Sequence, residues 1–367
     1  MKDSPSLKKL TTAARSPLSD WQTHYPDHKP IGTLCSYVPE EMLHAAGLVP
    51  VRLRGTNAPL RQVDARLQSF TCALCRSTLD QAMEGELDVL TGTIFAHTCD
   101  AMQAMADLWR MNTQRSHFVE IVMQPVNLGS PAARPYLISE LERFRTSLAE
   151  FSGQPLTDSD LKASISLYDD TRRMVRELQT MRDRLSAPDF YAITDAAQAM
   201  PREVFGPLLS ELLTELKDVP ARPRGPRIFL SGSVLDEPRL LDLIEDVGAR
   251  VAGDDLCSGS RHFYGQVGVE PDPITALADY YLSRPPCPTK LNPEHNPATF
   301  LLDQAGQVQA DGVVFVIAKF CEPYAFDYAL ILPALDQAGM PHLLLEMEQT
   351  PSLEAIRTRL QAFVELL

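Results

Sequence analysis

Short apolar runs alternate with stretches of helical periodicity in the first third of the chain. Four of the runs predict strands, at 31–34, 49–53, 89–95 and 117–123. Between them, apolar positions recur at helical spacing and predict helices over 39–46 and 100–111. Strands that alternate with helices are typical of a parallel sheet wound on both faces.

The pattern changes after residue 130 and returns near residue 227. Long charged helices are predicted over 136–217, and the Pro-rich segment 219–226 predicts a stiff linker. Further strands are predicted at 227–230, 250–252, 312–318 and 342–346. We therefore expect four parts: an N-terminal helical extension at 1–29, an α/β domain at 30–130, a helical segment at 131–219 and a second α/β domain at 227–367.

Composition narrows the classes of function. The chain has 367 residues, is 44% hydrophobic and carries a net charge of −14. Such an acidic chain is a poor prospect for binding nucleic acid, which needs a basic surface. We find no apolar run long enough for a membrane helix and no secretory h-region, so we expect a cytoplasmic protein without a membrane partner. In that compartment, seven cysteines indicate metal or redox chemistry rather than structural disulfides.

The cysteines are placed where predicted strands end. Those that directly follow a strand or its short extension are Cys35, Cys99, Cys257 and Cys321. Ligands of open α/β sheets bind outside the carboxyl ends of the strands, so these thiols are expected to converge between the two domains. Thiolates are the usual ligands of iron–sulfur clusters. A structural zinc site would favour two C-x-x-C pairs, and the chain has one, Cys72 and Cys75. A buried cysteine can also simply fill the core, and Cys75 is the strongest candidate for that role.

Four segments together resemble the subunits of 2-hydroxyacyl-CoA dehydratases and benzoyl-CoA reductases. They are 35–50 (CSYVPEEMLHAAGLVP), 72–80 (CALCRSTLD), 95–100 (FAHTCD) and 319–323 (KFCEP). The resemblance implies two flavodoxin-like, doubly wound parallel-sheet domains with a helical segment between them. It also implies that Cys72, Cys99 and Cys321 hold a 4Fe–4S cluster.

Three further cysteines resemble a branch of this family that carries a double-cubane 8Fe–9S cluster, held by six cysteines. They are Cys35, Cys257 and Cys287. The resemblance then implies one cubane on Cys72, Cys99 and Cys321 and the other on Cys35, Cys257 and Cys287. How the six thiols divide between the cubanes is left open, as is a single 4Fe–4S cluster. Cys75 is the odd cysteine and a possible substitute for Cys72.

The segments 76–80, 107–109 and 261–264 are most similar to benzoyl-CoA reductase subunits. This implies a chain that stores or relays low-potential electrons for the reduction of an aromatic ring. The implied partners are a homologous cluster-binding subunit, an ATP-hydrolysing activator with its own 4Fe–4S cluster, ferredoxin acting indirectly, and an acyl-CoA substrate. The alternatives are a 2-hydroxyacyl-CoA dehydratase subunit, which is a lyase, and a stand-alone double-cubane reductase of small molecules.

Candidates for catalytic roles lie beside the cysteines. His97 could donate a proton near Cys99, whereas the neighbouring Asp100 is expected to cap the following helix. Arg261, His262 and Tyr324 follow Cys257 or Cys321 and could bind an anion or approach the cluster; each could also be an ordinary surface or core residue. The chain has no P-loop and no G-x-G-x-x-G motif, so ATP hydrolysis is expected in a partner.

Two other classes of protein compete with this hypothesis. A non-catalytic assembly subunit would keep the fold and use its cysteines for packing, and it would be colourless when made anaerobically with ample iron. A zinc-stabilised binding protein would hold a single ion at Cys72 and Cys75.

Overall fold

The computed structural model describes residues 4–113, 117–223, 225–268 and 270–367. It contains two parallel four-stranded sheets. The strands of the first sheet are β1 (Pro30–Thr33), β2 (Val49–Arg52), β3 (Gly92–His97) and β4 (Phe118–Met123). Those of the second are β5 (Arg227–Gly232), β6 (Arg250–Leu256), β7 (Gly312–Ala318) and β8 (His342–Met347).

The two sheets share one strand order. It is β2-β1-β3-β4 in the first sheet and β6-β5-β7-β8 in the second, with all neighbours parallel. This order is the flavodoxin-like one, with helices on both faces of each sheet. The predicted fold class of two doubly wound α/β domains is therefore confirmed.

Helices account for most of the remaining described residues. In the first part of the chain they are α1 (Pro5–Arg15), α2 (Trp21–His24), α3 (Glu40–Ala45), α4 (Ala73–Met83) and α5 (Asp100–Asn112). Those between the sheets are α6 (Ala133–Ser152), α7 (Asp158–Thr180), α8 (Ala187–Ala197) and α9 (Arg202–Leu216). The last are α10 (Arg239–Asp246), α11 (Pro273–Leu282), α12 (Pro297–Gln307), α13 (Glu322–Ala338) and α14 (Leu353–Val364).

Local sequence explains where several helices begin and why β7 is central. Thr157 and Asp160 form a capping box at the start of α7, and the Asn296 side chain accepts hydrogen bonds from the first turn of α12. Strand β7 (GVVFVIA) is buried along its whole length, as its unbroken apolar run requires. Strand β6 extends beyond the predicted 250–252, and the buried Asp254 and Asp255 lie within it.

The four helices that lie between the two sheets in sequence pack into two different apolar cores. Leu137, Leu141 and Phe144 of α6 pack in the core of the first sheet, together with Leu277 of α11. Helices α8 and α9 pack instead with α1 and the second sheet, through residues that include Phe190. The predicted division into domains stays a prediction; the packing shows that segments distant in sequence complete each core.

Some predicted features fall on positions that the structure does not describe. Residues 1–3 of the predicted N-terminal extension and Arg224 of the predicted linker lie outside the described residues. Among the described residues, no helix is both long enough and apolar enough to cross a membrane.

Candidate functional site

Four cysteines follow strands at the carboxyl edges of the two sheets. Cys35 follows β1 and Cys99 follows β3, and these two strands are neighbours. In the second sheet, Cys257 follows β6 and Cys321 follows β7. In a doubly wound sheet, the connections that follow neighbouring central strands run to opposite faces, and the crevice between them is the usual ligand site.

Three cysteines also lie at the beginnings of helices. Cys72, Cys99 and Cys321 are the N-cap residues of α4, α5 and α13. A helix N-terminus carries a partial positive charge and free N–H groups, so it stabilises a thiolate or an anionic cluster. Burial raises the pKa of Cys99 and Cys321 to about 12, while the nearby N–H groups of Met102 and Tyr324 oppose that rise.

Electrostatic interactions show that six cysteines from both halves of the chain lie near one another. After burial, the thiols that raise the pKa of Cys99 are Cys72, Cys35 and Cys287. Those that raise the pKa of Cys321 after burial are Cys72, Cys99 and Cys257. The structure therefore brings together all six cysteines that the sequence predicted as ligands. Three of them come from the half of the chain that contains the first sheet and three from the half that contains the second.

The seventh cysteine differs from these six. Cys75 is completely buried in α4 and packs with Leu79 and Trp109, while the other six cysteines are partly exposed. The neighbouring Cys72 sulfur, followed by burial, raises the pKa of Cys75. The Cys75 thiol in turn lowers the pKa of Cys72. Cys75 thus contacts one member of the set from inside the core.

The arrangement is unsuited to a single metal ion. Within the described parts of the chain, no three His, Cys, Asp or Glu side chains are grouped closely enough to hold one. In a mononuclear zinc site, four ligands coordinate the same ion and therefore lie close together. In an iron–sulfur cluster each iron takes one protein thiolate and the sulfides complete its coordination, so the thiolates lie farther apart. The partly exposed thiolates between two domains fit a cluster better than zinc.

A buried cation beside two of the thiols supports this fit. Lys290 follows Cys287 closely in sequence, and among the described residues its buried ammonium has no hydrogen-bond partner. Burial lowers the pKa of Lys290, whereas Cys287 and Cys35 oppose that change. Its Nζ also lies 5.2 Å from the centre of the Tyr37 ring. An anionic group held by these thiols would compensate the charge of Lys290.

Threonine hydroxyls contact two of the sulfurs. Thr98 Oγ1 lies 3.7 Å from the sulfur of Cys35, and Thr289 Oγ1 lies 3.3 Å from that of Cys287. Hydrogen bonds to cluster sulfurs are one of the means by which a protein sets a reduction potential. Neither threonine was among the predicted site residues, although each is within two positions of a cysteine.

Two predicted candidates, Tyr324 and Arg261, meet at Cys257. The Tyr324 hydroxyl lies 3.2 Å from the Cys257 sulfur and accepts a hydrogen bond of 2.6 Å from Arg261. Arg261 is itself paired with the buried Asp255 at 2.6 Å. Burial raises the pKa of Tyr324 well above its ordinary value, so the hydroxyl keeps its proton. Asp255 was not among the predicted site residues, because its importance depends on its ion pair with Arg261.

The two predicted histidines, His97 and His262, lie in environments different from that of Tyr324 and Arg261. His262 is buried with its Nε2 3.4 Å from a carboxylate oxygen of Glu40, and burial lowers its pKa to about 4. His97 is the last residue of β3, and the described residues show no hydrogen bond from it to a thiol. The expected cap at Asp100 is wrong by one position, because Cys99 is the N-cap residue and Asp100 begins α5.

Buried ion pairs hold the loop after Cys35 in place. Glu40 accepts a hydrogen bond of 2.9 Å from Arg202, and Glu41 accepts one of 2.7 Å from Arg172. Burial by itself would raise the pKa of Glu40, but His262 and Arg202 lower it to about 2. No local sequence pattern marks these pairs, since the partners lie more than a hundred positions apart.

Exposed aromatic and apolar side chains surround the Cys321 loop. Phe326 and Leu330 of α13 are 71% and 70% exposed, while Ile331 and Leu335 of the same helix are buried. Two large apolar side chains one turn apart on an exposed helix face are typical of a surface that another protein covers. Phe320, directly before Cys321, is half exposed and has a φ of 67°, which is uncommon for a residue other than glycine.

A cavity of about 930 Å³ lies elsewhere, between α1, α2 and the carboxyl end of β2. Its lining includes Lys9, Trp21 and Arg54. All seven cysteines are among the described residues, and none of them lines this cavity. The cysteine crevice is therefore a separate feature of the molecule.

Comparison with known proteins gives matches over nearly the whole chain. The family model of the 2-hydroxyglutaryl-CoA dehydratase D-component matches residues 35–367. The (R)-phenyllactyl-CoA dehydratase beta subunit of Clostridium sporogenes is 28% identical over 345 residues, or 92% of each chain. The lactoyl-CoA dehydratase beta subunit of Anaerotignum propionicum is also 28% identical, over 92% of this chain and 91% of the relative. A benzoyl-CoA reductase subunit of Thauera aromatica is 26% identical, over 96% and 94% of the two chains.

Proposed function

Because the chain belongs to the 2-hydroxyglutaryl-CoA dehydratase D-component family, we propose that it is the iron–sulfur subunit of an enzyme that acts on an acyl-CoA thioester. Membership of the family confirms the resemblance that its motifs indicated. The observation that carries the proposal is the convergence of six thiols from both halves of the chain on one crevice. The unpaired ammonium of Lys290 beside Cys287 and Cys35 supports an anionic occupant.

The cofactor in this proposal is a double-cubane 8Fe–9S cluster held by six cysteines, with a single 4Fe–4S cluster as the alternative. The ligands are Cys35, Cys72, Cys99, Cys257, Cys287 and Cys321. When bound, the cluster supplies low-potential electrons. The chain's own residues would position it: the N-termini of α4, α5 and α13 would stabilise its negative charge, and the Tyr324 hydroxyl, held by Arg261, would donate to the Cys257 sulfur.

The reaction that we propose first is ATP-dependent reduction of an aromatic acyl-CoA, of the benzoyl-CoA reductase type. The match to a benzoyl-CoA reductase subunit and the six-cysteine set favour it. The second candidate is dehydration of a 2-hydroxyacyl-CoA, because two relatives of higher identity are dehydratase subunits. In both, this chain stores or relays electrons and an activator couples their transfer to ATP hydrolysis.

A homologous cluster-binding subunit is the partner that we propose for this chain. The relatives are named as subunits of larger enzymes, and α13 exposes Phe326 and Leu330 beside the loop of Cys321. A second subunit on this face would bury these apolar side chains and shield the crevice from water and oxygen. The activator and, through it, ferredoxin are further proposed partners.

Iron analysis of anaerobically purified protein tests the cofactor. The double cubane predicts about eight irons per chain and the single cluster about four. Cys287→Ser should lower the iron content of a double-cubane protein but leave that of a single-cluster protein unchanged. Cys75→Ser is the matched control and should keep the full content. A colourless protein without iron, made with ample iron and sulfide, would contradict the proposal and favour a non-catalytic subunit.

Activity assays separate the two reactions. The chain would be combined anaerobically with its partner subunit and activator, ATP and a strong reductant. Consumption of benzoyl-CoA with formation of a ring-reduced product supports the reductase. Conversion of a 2-hydroxyacyl-CoA, such as phenyllactyl-CoA, to its enoyl-CoA supports the dehydratase instead and rejects the first proposal.

A further inference from the structure

Cys72 and Cys75 meet at the first turn of α4. Cys72 is the N-cap residue, with extended backbone angles of φ −60° and ψ 150°. Cys75 is the third residue of the helix, and it is the position whose side chain can reach back toward the N-cap residue in a capping box. This placement brings the two side chains together at one helix end, where the two thiols interact. No other pair of cysteines in the sequence has this spacing.

The two thiols differ in access. Cys72 is partly exposed at the crevice, whereas Cys75 is completely buried behind it among Leu74, Leu79 and Trp109. An outer and an inner cysteine at the N-terminus of a helix form the arrangement of dithiol redox motifs. The outer thiol can react with a molecule in solution, and the inner one can react only with the outer thiol.

We propose that Cys72 and Cys75 form a reversible disulfide when the cluster is lost, which stores the ligand Cys72 in a protected state. The proposal rests on the proposed function, because it gives Cys72 a ligand role that Cys75 does not share. A cluster on Cys72 occupies its sulfur, so the disulfide and the bound cluster exclude each other. Reduction of the disulfide returns the thiol that cluster assembly requires.

The oxidant is a low-molecular-weight disulfide such as oxidised glutathione. The Cys72 thiolate attacks one of its sulfurs, so a mixed disulfide forms at Cys72 and one glutathione thiolate leaves. The Cys75 thiol then attacks the Cys72 sulfur, and its proton passes to the second glutathione as that thiolate leaves. The two cysteines lose two electrons, and the oxidant gains two and becomes two molecules of glutathione.

Peptide mapping of the full chain tests this reaction. Trypsin cleavage after Arg66 and Arg76 releases one peptide that contains Cys72 and Cys75 and no other cysteine. The full chain, stripped of iron anaerobically, is treated with oxidised glutathione, alkylated and digested. We expect this peptide to be lighter by two hydrogen atoms and to lose both alkyl labels. After treatment with dithiothreitol, both labels should return, as should the ability to bind iron.

Cys75→Ala is the matched control. It lacks the inner thiol, so its peptide should retain a glutathione adduct on Cys72. The proposal is overturned if the wild-type peptide also ends as the glutathione adduct, or if Cys72 is found linked to the peptide of Cys99 or Cys321. The outcome is separable from the proposed function: a disulfide in a chain that never binds iron would reject the cluster and keep the dithiol reaction.

Discussion

Replacement of Asp254 should show most clearly how much more a buried ion pair contributes to the free energy of unfolding than an exposed pair does. Its side chain is completely buried and accepts hydrogen bonds from Arg182 at 2.5 Å, from the N–H of Ser260 at 2.7 Å and from the N–H of Leu256 at 3.2 Å. These bonds close the loop that contains Cys257. The Arg182 side chain is also buried, with its guanidinium 3.8 Å from the centre of the Phe190 ring, so little water can replace the carboxylate.

The substitution Asp254→Asn removes the negative charge and leaves the Arg182 cation buried without its counter-ion. Breaking a buried pair by removing one partner costs about 3–5 kcal/mol. The exposed pair of Arg357 and Asp246, 3.2 Å apart, provides the control. Asp246→Asn should cost less than about 1 kcal/mol, because water screens that pair.

Urea denaturation of the iron-free chains, followed by circular dichroism, measures both effects. The free energy of unfolding should fall for Asp254→Asn and change little for Asp246→Asn, with similar slopes against urea. Arg182→Met combined with Asp254→Asn should be more stable than Asp254→Asn alone, since no uncompensated charge remains and the amide oxygen of the introduced asparagine still accepts the N–H groups of Ser260 and Leu256. Equal losses in the two asparagine variants would refute the reasoning, because burial would then contribute nothing to the strength of the pair.

Three further predictions concern other parts of the structure. Burial lowers the pKa of His262 from 6.5 to about 4. Between pH 6.5 and 4 the unfolded chain therefore binds a proton at this residue that the folded chain does not. The free energy of unfolding should fall by up to about 3 kcal/mol as the pH falls through this range. His262→Gln should flatten this slope in urea midpoints measured across pH; an unchanged slope would assign it to other groups. Tyr324→Phe removes the hydroxyl beside Cys257 and should lower the midpoint potential of the proposed cluster in a redox titration, with iron content unchanged; an unshifted potential would contradict the contact. Gly232→Ala should destabilise the chain by about 3 kcal/mol, since φ is 144° and a Cβ would lie 2.0 Å from a backbone oxygen of β7. Gly47→Ala, with φ 77° and open space, should cost only about 1 kcal/mol when both glycine variants are compared in thermal melts, and equal costs would argue against the close approach.

Much of the sheet architecture could be predicted because apolar runs and helical periodicity are local signals. The run that forms β7 needs no distant partner to be recognised, and a cysteine after such a strand lies at the carboxyl edge of the sheet by topology alone. Where the signal depended on a distant partner, prediction was poorer. The predicted strand ends at residue 252, yet Asp254 and Asp255 lie within β6, where Arg182 and Arg261 pair with them.

In the candidate site, too, some residues could be recognised from local sequence and others only from the folded structure. The six cysteines could be predicted because each lies in a recognisable sequence segment. Lys290 could not, because an isolated lysine in a sequence gives no indication that its ammonium will be buried beside thiols. The environment of Tyr324 likewise depends on the packing of Arg261 against it.

The equal division of the six cysteines between the two halves of the chain has a consequence for biogenesis. Cys35, Cys72 and Cys99 belong to the half that contains the first sheet, and the remaining three belong to the other. A ribosome that has synthesised only the first half has produced half of the donors and none of the opposing wall. For the cluster that we propose, machinery that delivers iron and sulfide would therefore act after translation is complete, and metal uptake would become a checkpoint on the quality of the finished polypeptide.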